Sequence, residues 1–207
     1  MKATYWEVPW IWHGRTVAVL ASGPSMSQAV ADSVRHLPRI AVNTTYQLAP
    51  DADVLYACDS KWWRANPEAL ACPGLKVALE PMPGELPNVP PDVRVLRNSG
   101  GEGYDPRPGY LRTLSNSGGQ AIQVAAKSGA ARILLLGFDM HGGHWHEPHK
   151  LGNPRDKTYD RWISRMAGLA LAMKNLGVEV LNCTPGSRLR CFPMRVLEDA
   201  IAERVAA

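Results

Sequence analysis

The stretch Val17–Met26, which reads Val-Ala-Val-Leu-Ala-Ser-Gly-Pro-Ser-Met, decides the fold class of this 207-residue chain. Its four leading apolar residues predict a short buried strand, and the Ser-Gly-Pro-Ser turn ends that strand just before the predicted helix Ser27–His36. When a buried strand turns directly into a helix, the N–H groups that open the helix favour an anion. We expect the ligand contacts of this turn to come from Ser22, Gly23, Pro24 and Ser25.

This turn lacks the residues of two well-known phosphate-binding loops. It has neither the Gly-Lys-Ser/Thr triplet of a Walker A loop nor a Gly-x-Gly-x-x-Gly pattern. A ligand role therefore rests on its position at the end of the first predicted strand. The alternative is a tight turn in which Ser25 or Ser27 caps the helix.

A second strand-and-helix junction lies in the other half of the chain. Asn116-Ser117-Gly118-Gly119 opens a helix of small residues, and the apolar run Ile133–Leu136 follows and ends in Gly137-Phe138-Asp139. Two such junctions in one small chain indicate a nucleotide or nucleotide-sugar site. At this junction we expect Ser117, Gly118, Gly119 and Asp139 to contact the ligand.

Strands and helices alternate along the whole sequence. The predicted strands are Val17–Leu20, Arg39–Val42, Val54–Ala57, Leu75–Leu79, Val93–Leu96, Ile133–Leu136 and Val178–Asn182. The predicted helices are Ser27–His36, Trp62–Ala69, Gly118–Ser128, Asp156–Leu176 and Met194–Val205. We therefore predict an α/β fold, a single Rossmann-like domain over residues 1–207 with an open, mostly parallel sheet flanked by helices. In the longest helix, the apolar stripe that begins with Tyr159 and Trp162 is assigned to the core.

Two segments stand apart from this alternation. Met1–Gly14 carries Trp6, Trp10 and Trp12 at alternating spacing, which predicts an edge strand with one aromatic face, acting as a strap that closes the core. A surface for a ligand or partner is the alternative. Pro81–Pro108 is rich in proline and glycine and is predicted to be a long loop around one short strand, as in lids and binding loops.

Composition excludes several classes of protein. A hydrophobic content of 45% and a charged content of 20% are typical of a globular domain, and a net charge of +4 without a Lys/Arg run argues against nucleic-acid binding. We find no secretory signal pattern and no apolar run of the ~20 residues that a bilayer span requires. The cysteines, at 58, 72, 183 and 191, show no Cys-x-x-Cys spacing. We expect a cytoplasmic protein with free thiols, and a homo-oligomer is left open.

Polar residues follow two further predicted strands. Asn43 comes directly after Arg39–Val42, and Asp59 comes just after Val54–Ala57. The carboxyl ends of parallel strands share the edge of the sheet where open α/β proteins bind ligands. We therefore place Asn43 and Asp59 in the predicted site, with roles as turn or cap residues as the alternative.

Four of the six histidines form a cluster after the strand Ile133–Leu136, at positions 141, 144, 146 and 149. A zinc site with Asp139 or Glu147 is one interpretation, but the spacing matches no standard zinc pattern and we predict no metal. General acid/base chemistry is the second interpretation, and a polar surface loop is the third. The candidate bases are His144, His146 and His149, while His141 is expected beside Asp139 at the ligand.

In order and spacing, the first three motifs resemble those of bacterial lipooligosaccharide sialyltransferases. Those enzymes have Gly-Asn-Gly-Pro-Ser, Cys-Asn and Asn-Pro-Ser where this chain has its Ser-Gly-Pro-Ser turn, Val42-Asn43 and Cys58-Asp59-Ser60. The second half is similar as well: Asn116-Ser117-Gly118 corresponds to their Thr-Ser-Gly, and the strand ending Gly-Phe-Asp to their Gly-Ile-Asp. Asn182–Ser187 is similar to their closing Cys-Pro-Asn-Ser segment. The resemblance covers about Val17 to Phe192 and includes archaeal 6-hydroxymethylpterin diphosphokinases, which share the scaffold.

The resemblance implies a cytidine-nucleotide-type pocket and a histidine base just before the long helix, at His146 or His149. His141 stands where the family has a tyrosine, and Glu147 falls where a second, phosphate-binding tyrosine is expected. The pocket residues that the resemblance implies are Gly23, Ser25, Asn43, Asp59, Ser117 and Gly118.

Together these observations predict a nucleotide-dependent transferase. The leading prediction is glycosyl transfer from a nucleotide sugar of the CMP type to an unknown acceptor, with no tightly bound cofactor. A histidine would deprotonate the acceptor hydroxyl. One alternative is a diphosphokinase-like phosphotransferase that needs Mg²⁺, through Asp59 or Asp139. The other is a non-catalytic nucleotide-binding module whose tryptophan-rich N-terminus docks a partner.

Overall fold

A computed structural model describes residues 5–146 and 154–203 of the chain. Its strands are β1 (Thr16–Leu20), β2 (Arg39–Val42), β3 (Val54–Tyr56), β4 (Leu75–Leu79), β5 (Val93–Asn98), β6 (Tyr110–Leu111), β7 (Arg132–Leu136) and β8 (Glu179–Asn182). They form one sheet in the order β6-β5-β4-β3-β2-β1-β7-β8, and every neighbouring pair is parallel. The predicted fold class, an open α/β sheet, is confirmed.

Helices cover both faces of this sheet. They are α1 (Gln28–Ser33), α2 (Ser60–Ala65), α3 (Ser117–Lys127), α4 (Asp156–Asn175) and α5 (Leu197–Ala202), with short 3-10 helices at Asn43–Gln47 and Pro67–Ala71. Successive residues of a strand point to opposite faces, so Val17 and Val19 pack with α3 and α4, while Ala18 and Leu20 pack with α1, α2 and α5. This burial on both sides explains why the central strands β1 and β7 are nearly continuous apolar runs.

The direction of the chain across the sheet reverses beside β1. From β1 to β6 each strand is added on one side, and β7 and β8 are then added on the other, so β1 lies between β2 and β7. Val19 pairs with Ile40 of β2 and with Leu135 of β7. Such a reversal opens a crevice at the carboxyl ends of the two diverging strands, where α/β proteins bind ligands.

Several elements differ from their predicted extents. Strand β6 was not predicted, because two residues are too few to show a periodicity. The predicted helix Trp62–Ala69 is α2 followed by a 3-10 helix that starts at Pro67, since proline has no N–H to continue the α-helical bonding. Helix α1 ends at Ser33 and α5 spans only Leu197–Ala202, so both are shorter than predicted.

The predicted N-terminal edge strand is wrong. In the described part of this segment, which starts at residue 5, Tyr5 alone bridges to the sheet, at Val95, and residues 6–11 form no strand. Trp12 is buried whereas Trp10 is 65% exposed, so the tryptophans do not share one face. Single hydrogen bonds hold the segment instead, such as those from the Trp6 N–H to the Val95 carbonyl and from the Trp12 N–H to the Ser128 carbonyl.

All four cysteines are free thiols. Across residues 5–146 and 154–203, no helix combines the length and the apolar character that crossing a bilayer would take.

A buried lysine joins the end of α3 to the loop before β6. The Lys127 ammonium donates to the carbonyls of Asp105 and Arg107 and lies 4.4 Å from the centre of the Tyr104 ring. The Asp105 carboxylate is itself paired with the Arg107 guanidinium at 2.7 Å. Burial lowers the pKa of Lys127 from 10.5 to about 8, because the charged form loses its hydration.

This pKa predicts a pH-dependent contribution to stability. Between pH 8 and 10.5 the unfolded chain holds the Lys127 proton and the folded chain does not, so the free energy of unfolding rises with pH in that window. We expect the stability difference between the wild type and Lys127→Met to grow by about 2–3 kcal/mol from pH 7.5 to 10.5 in urea unfolding. The exposed Lys157→Met variant is the control and should show no such change. A difference that stays constant with pH would contradict the assignment.

Candidate functional site

A cavity of about 650 Å³ opens at the carboxyl edge of the sheet, over the point where the chain reverses between β1 and β7. Its walls come from the loops after β1, β2, β3 and β7, from the start of α3 and from the first turns of α4. A volume of this size suits a drug-sized or nucleotide-sized ligand. The predicted site residues that line it are Ser22, Gly23, Asn43, Asp59, Ser117, Gly118 and His144.

The loops after β1 and β7 are joined backbone to backbone. The Ala21 N–H donates to the Leu136 carbonyl at 2.8 Å, and the Gly23 N–H donates to the Gly137 carbonyl at 2.9 Å. A Cβ on Gly23 would lie 1.9 Å from Oδ2 of Asp139 and 2.5 Å from the Gly137 oxygen. Glycine is therefore required at 23 by the neighbouring loop, whether or not a ligand is bound.

Asp139 and Ser25 form two hydrogen bonds with each other beside this junction. Oδ1 of Asp139 accepts from the Ser25 N–H at 3.1 Å, and Oδ2 accepts from the Ser25 hydroxyl at 2.9 Å. Burial raises the pKa of the Asp139 carboxyl, and the Ser25 hydrogen bonds oppose that rise. Neither residue lines the cavity, and nor does Pro24.

The turn after β1 has fewer amides for a phosphate than predicted. The N–H groups of Gly23 and Ser25 already donate to Gly137 and Asp139, and Pro24 has none to offer, so Ser22 keeps the remaining N–H of the four predicted residues. The turn also shapes the cavity through its close contact with the loop after β7. Sequence position at a strand end cannot distinguish these two uses of a short, glycine-containing turn.

The segment after β8 holds Phe138 in place. The Phe138 N–H donates to Oγ1 of Thr184 at 2.9 Å, and the Ser187 hydroxyl donates to the Phe138 carbonyl at 2.6 Å. Buried Asn182 ties this segment together, accepting from the Thr184 N–H at 3.1 Å and donating to Ser187 Oγ at 3.0 Å. The fixed Phe138 ring then packs against the start of α3, where a Cβ on Gly118 would lie 2.7 Å from it.

Helix α3 points its amino end at the cavity. The Asn116 side chain caps the helix by accepting from the Gly119 N–H at 3.0 Å, and Gly119 packs against Leu114 and Met166. Gly119 is therefore a packing residue, contrary to its predicted ligand contact. The N–H groups of Ser117 and Gly118 have no partner within the helix, and both residues line the cavity.

Asn43 and Asp59 line the cavity from the β2 and β3 side. Asn43 has a φ of 51°, and its side-chain amide makes no hydrogen bond to any residue that the structure describes. Asp59 caps α2 by accepting from the Lys61 N–H at 2.7 Å and is exposed. Asp59 therefore caps α2, which was the alternative to a ligand contact, and it also lines the cavity.

Of the predicted histidines, His144 is the one at the cavity. Its Nδ1 lies 3.2 Å from the Ser22 carbonyl, and its ring stacks on that of His146 with centroids 5.1 Å apart. The neighbouring Trp145 fixes this loop, because its N–H donates to the Ser22 carbonyl and its indole donates to Thr45 Oγ1. His141 and His146 do not line the cavity, and His149 and Glu147 lie outside the described residues.

Two aromatic residues of α4 that were assigned to the core pack with it as predicted and also line the cavity. The Tyr159 hydroxyl accepts from the Gly143 N–H at 3.0 Å, and the Tyr159 and Trp162 rings meet edge to face at 5.6 Å. The Trp162 indole nitrogen is buried and has no hydrogen-bond partner in the described part of the chain. Helical periodicity predicts which side of a helix is covered, but it does not say whether a sheet or a cavity covers it.

A buried carboxylate, Glu80, was missed because it simply follows the apolar run of β4. It lines the cavity, is 2% exposed, and accepts from the N–H groups of Gly84 and Asn98 and from the Tyr5 hydroxyl. The residue thereby fixes the start of the 81–108 segment against β5. No sequence motif marks it.

The described wall of the cavity carries no lysine or arginine; its ionisable groups are Asp59, Glu80, His144, Cys58 and Tyr159. Burial raises the pKa of the Cys58 thiol despite its hydrogen bond with Ser117. In residues 5–146 and 154–203, no three His, Cys, Asp or Glu side chains are grouped as a metal site requires.

Comparisons with known proteins give one similarity in structure. No protein-family model and no curated protein sequence matches the chain. Among solved structures, the chain is similar to the sialyltransferase CstII from Campylobacter jejuni, determined in complex with the substrate analogue cytidine-5'-monophosphate. The two are 12% identical with a TM-score of 0.46, over 88% of this chain and 85% of that one.

The junction at Gly23 predicts a loss of stability on substitution. In Gly23→Ala the new Cβ must displace the Asp139 carboxylate or the Gly137 backbone, so we expect a loss of at least about 2 kcal/mol in urea unfolding without any ligand. Gly168→Ala is the control, because its Cβ would meet nothing closer than 3.6 Å, and it should be neutral or stabilising by up to about 1 kcal/mol. A Gly23→Ala protein as stable as the wild type would show that the junction is not the constraint.

Proposed function

We propose that the protein is a nucleotide-dependent transferase that moves a glycosyl group from a nucleotide sugar to an acceptor hydroxyl. The observation that carries the proposal is the cavity over the sheet reversal, with the open amides of Ser117 and Gly118 and the imidazole of His144 on its walls. Donors for an anion and a candidate base therefore share one enclosure of nucleotide size. The order and spacing of the sequence motifs, which resemble those of sialyltransferases, support the same reaction class.

The charge of the cavity supports a donor with a single phosphate, of the CMP type. The amino end of α3 offers two N–H groups and a partial positive charge, enough to complement one phosphate. A diphosphate or triphosphate brings more negative charge, which proteins usually balance with lysine, arginine or a divalent cation. No lysine or arginine lies on the described wall, and two carboxylates do.

The geometry around His144 supports its role as the base. A carbonyl oxygen only accepts hydrogen bonds, so the contact with Ser22 places the proton on Nδ1 in the neutral ring. Nε2 is then the basic nitrogen, suited to taking a proton from an acceptor hydroxyl. Trp145 fixes the loop next to this ring, which favours a constant orientation of the imidazole.

The two carboxylates proposed for a Mg²⁺-dependent phosphotransferase are on different elements and are both engaged. Asp139 is bound to Ser25 away from the cavity, and Asp59 caps α2. We therefore favour glycosyl transfer over the phosphotransferase. A binding module without catalysis has the same cavity, and only turnover distinguishes it.

A ligand screen tests the proposal. CMP and CMP-sialic acid should raise the melting temperature equally with Mg²⁺ and with EDTA, and CMP-sialic acid should be consumed when sugar acceptors are supplied. UDP-sugars, GDP-sugars and ATP with Mg²⁺ serve as comparisons. Stabilisation only by ATP with Mg²⁺ would overturn the glycosyl transfer proposal in favour of the phosphotransferase, and tight CMP binding without turnover would favour the binding module.

Asn43 provides a binding test that is separable from stability. Since its amide has no partner among the described residues, Asn43→Ala should weaken CMP binding by about 1–2 kcal/mol in isothermal titration. Alanine at the left-handed φ of 51° should also lower the free energy of unfolding by about 1 kcal/mol, which leaves the protein folded during the titration. Asn175→Ala, at the exposed end of α4, is the matched control. Unchanged CMP affinity in Asn43→Ala would remove Asn43 from the site.

His144 and His146 form a matched pair for the chemical step. His144→Gln should reduce kcat by about 10²–10⁴-fold and leave CMP affinity within a few fold, because a general base acts on the acceptor. His146→Gln should keep most of the activity, since His146 stacks on His144 without lining the cavity. Equal losses in the two variants would instead indicate that the stacked pair only holds the loop.

A further inference from the structure

The first turn of α4 presents a hydroxyl to the cavity that the proposed chemistry does not yet use. Tyr159 is 6% exposed and lines the cavity, and the edge of the Trp162 ring fixes the orientation of its phenol ring. Tyrosine hydroxyls buried to this degree normally have hydrogen-bond partners for both the oxygen and the proton.

Only one of these two requirements is met. The Tyr159 oxygen accepts from the Gly143 N–H at 3.0 Å, and no residue in the described part of the chain accepts the hydroxyl proton. Burial raises the pKa of Tyr159, so the hydroxyl keeps that proton at neutral pH. A buried donor with its direction set by a backbone amide is thus left facing the cavity.

The surroundings of this donor indicate what would accept from it. Gly143 directly precedes His144, so the hydroxyl lies on the same side of the cavity as the candidate base. The open amides of Ser117 and Gly118 also lie on the wall, and no lysine or arginine on the described wall competes for an anion. Neutral donors on α3 and α4 around one enclosure match the several oxygens of a phosphate group.

We infer that Tyr159 is a phosphate-binding residue, whose hydroxyl donates to a phosphate oxygen of the nucleotide from the α4 side of the cavity. This inference rests on the proposed function. The Gly143 N–H, by donating to the same phenol oxygen, polarises the O–H bond and strengthens the donor. The Tyr159 hydroxyl would then contact both the bound phosphate and the loop that carries His144.

The test compares two ligands that differ only in phosphate. Tyr159→Phe removes the hydroxyl and keeps the ring, so we expect CMP to bind about 10- to 100-fold more weakly in isothermal titration, with cytidine affinity unchanged within twofold. Tyr110→Phe is the matched control, because Tyr110 lies in β6 and does not line the cavity, and it should change neither affinity.

The outcomes separate this inference from the proposed function. Failure of the wild type to bind CMP overturns both. Tight CMP binding by the wild type with unchanged affinity in Tyr159→Phe, or an equal loss for CMP and cytidine, overturns the phosphate contact alone. If Tyr159→Phe does not fold, wild-type protein labelled with ¹³Cζ-tyrosine decides the matter. The Tyr159 resonance should then shift with CMP and not with cytidine, and an equal shift with both overturns the inference.

Discussion

The site depends on one close approach, between Gly23 after β1 and the backbone of Gly137 with the carboxylate of Asp139 after β7. A side chain at 23 would occupy the space of both. Because the loops meet here, β1 and β7 stay in register to their last residues, and Ser25 is brought within bonding distance of Asp139. The contact also sets the rim of the cavity that lies over the reversal of the sheet. Local backbone packing thus shapes the rim of the cavity.

Much of the fold was predictable, because buried parallel strands have few acceptable sequences. Runs that are mostly apolar gave β2 and β4 with their observed ends and most of β1, β5 and β7, since burial on both faces leaves few polar positions to blur the pattern. The N-terminal tryptophans were misread because alternation of large residues also occurs in an irregular segment that buries Trp12 and leaves Trp10 in solvent. Short β6 had too few residues to be recognised.

The location of the cavity was easier to predict than the contacts of each residue. Ser22, Asn43, Asp59 and Ser117 were placed by the rule that strands of a parallel sheet end at one edge, and they line the cavity. The rule does not say which polar groups already have hydrogen-bond partners within the protein. The Gly23 N–H donates to the Gly137 carbonyl, and the Asp139 carboxylate accepts from the Ser25 N–H and hydroxyl. The places of Tyr159 and Glu80 on the cavity wall were not predicted, because their hydrogen bonds join them to Gly143 and Asn98, which are distant in sequence.

The pairing of β1 has a consequence for how the chain is made. Thr16 pairs with Arg132, so one long edge of buried strand β1 has no partner until β7 leaves the ribosome. By then β1 to β6 and the sequence of α3 have been synthesised, and an apolar edge of this kind invites pairing with other chains. Contacts so distant along the chain also slow folding. Nascent chains that stall before β7 should therefore be the species that chaperones retain and that aggregates collect.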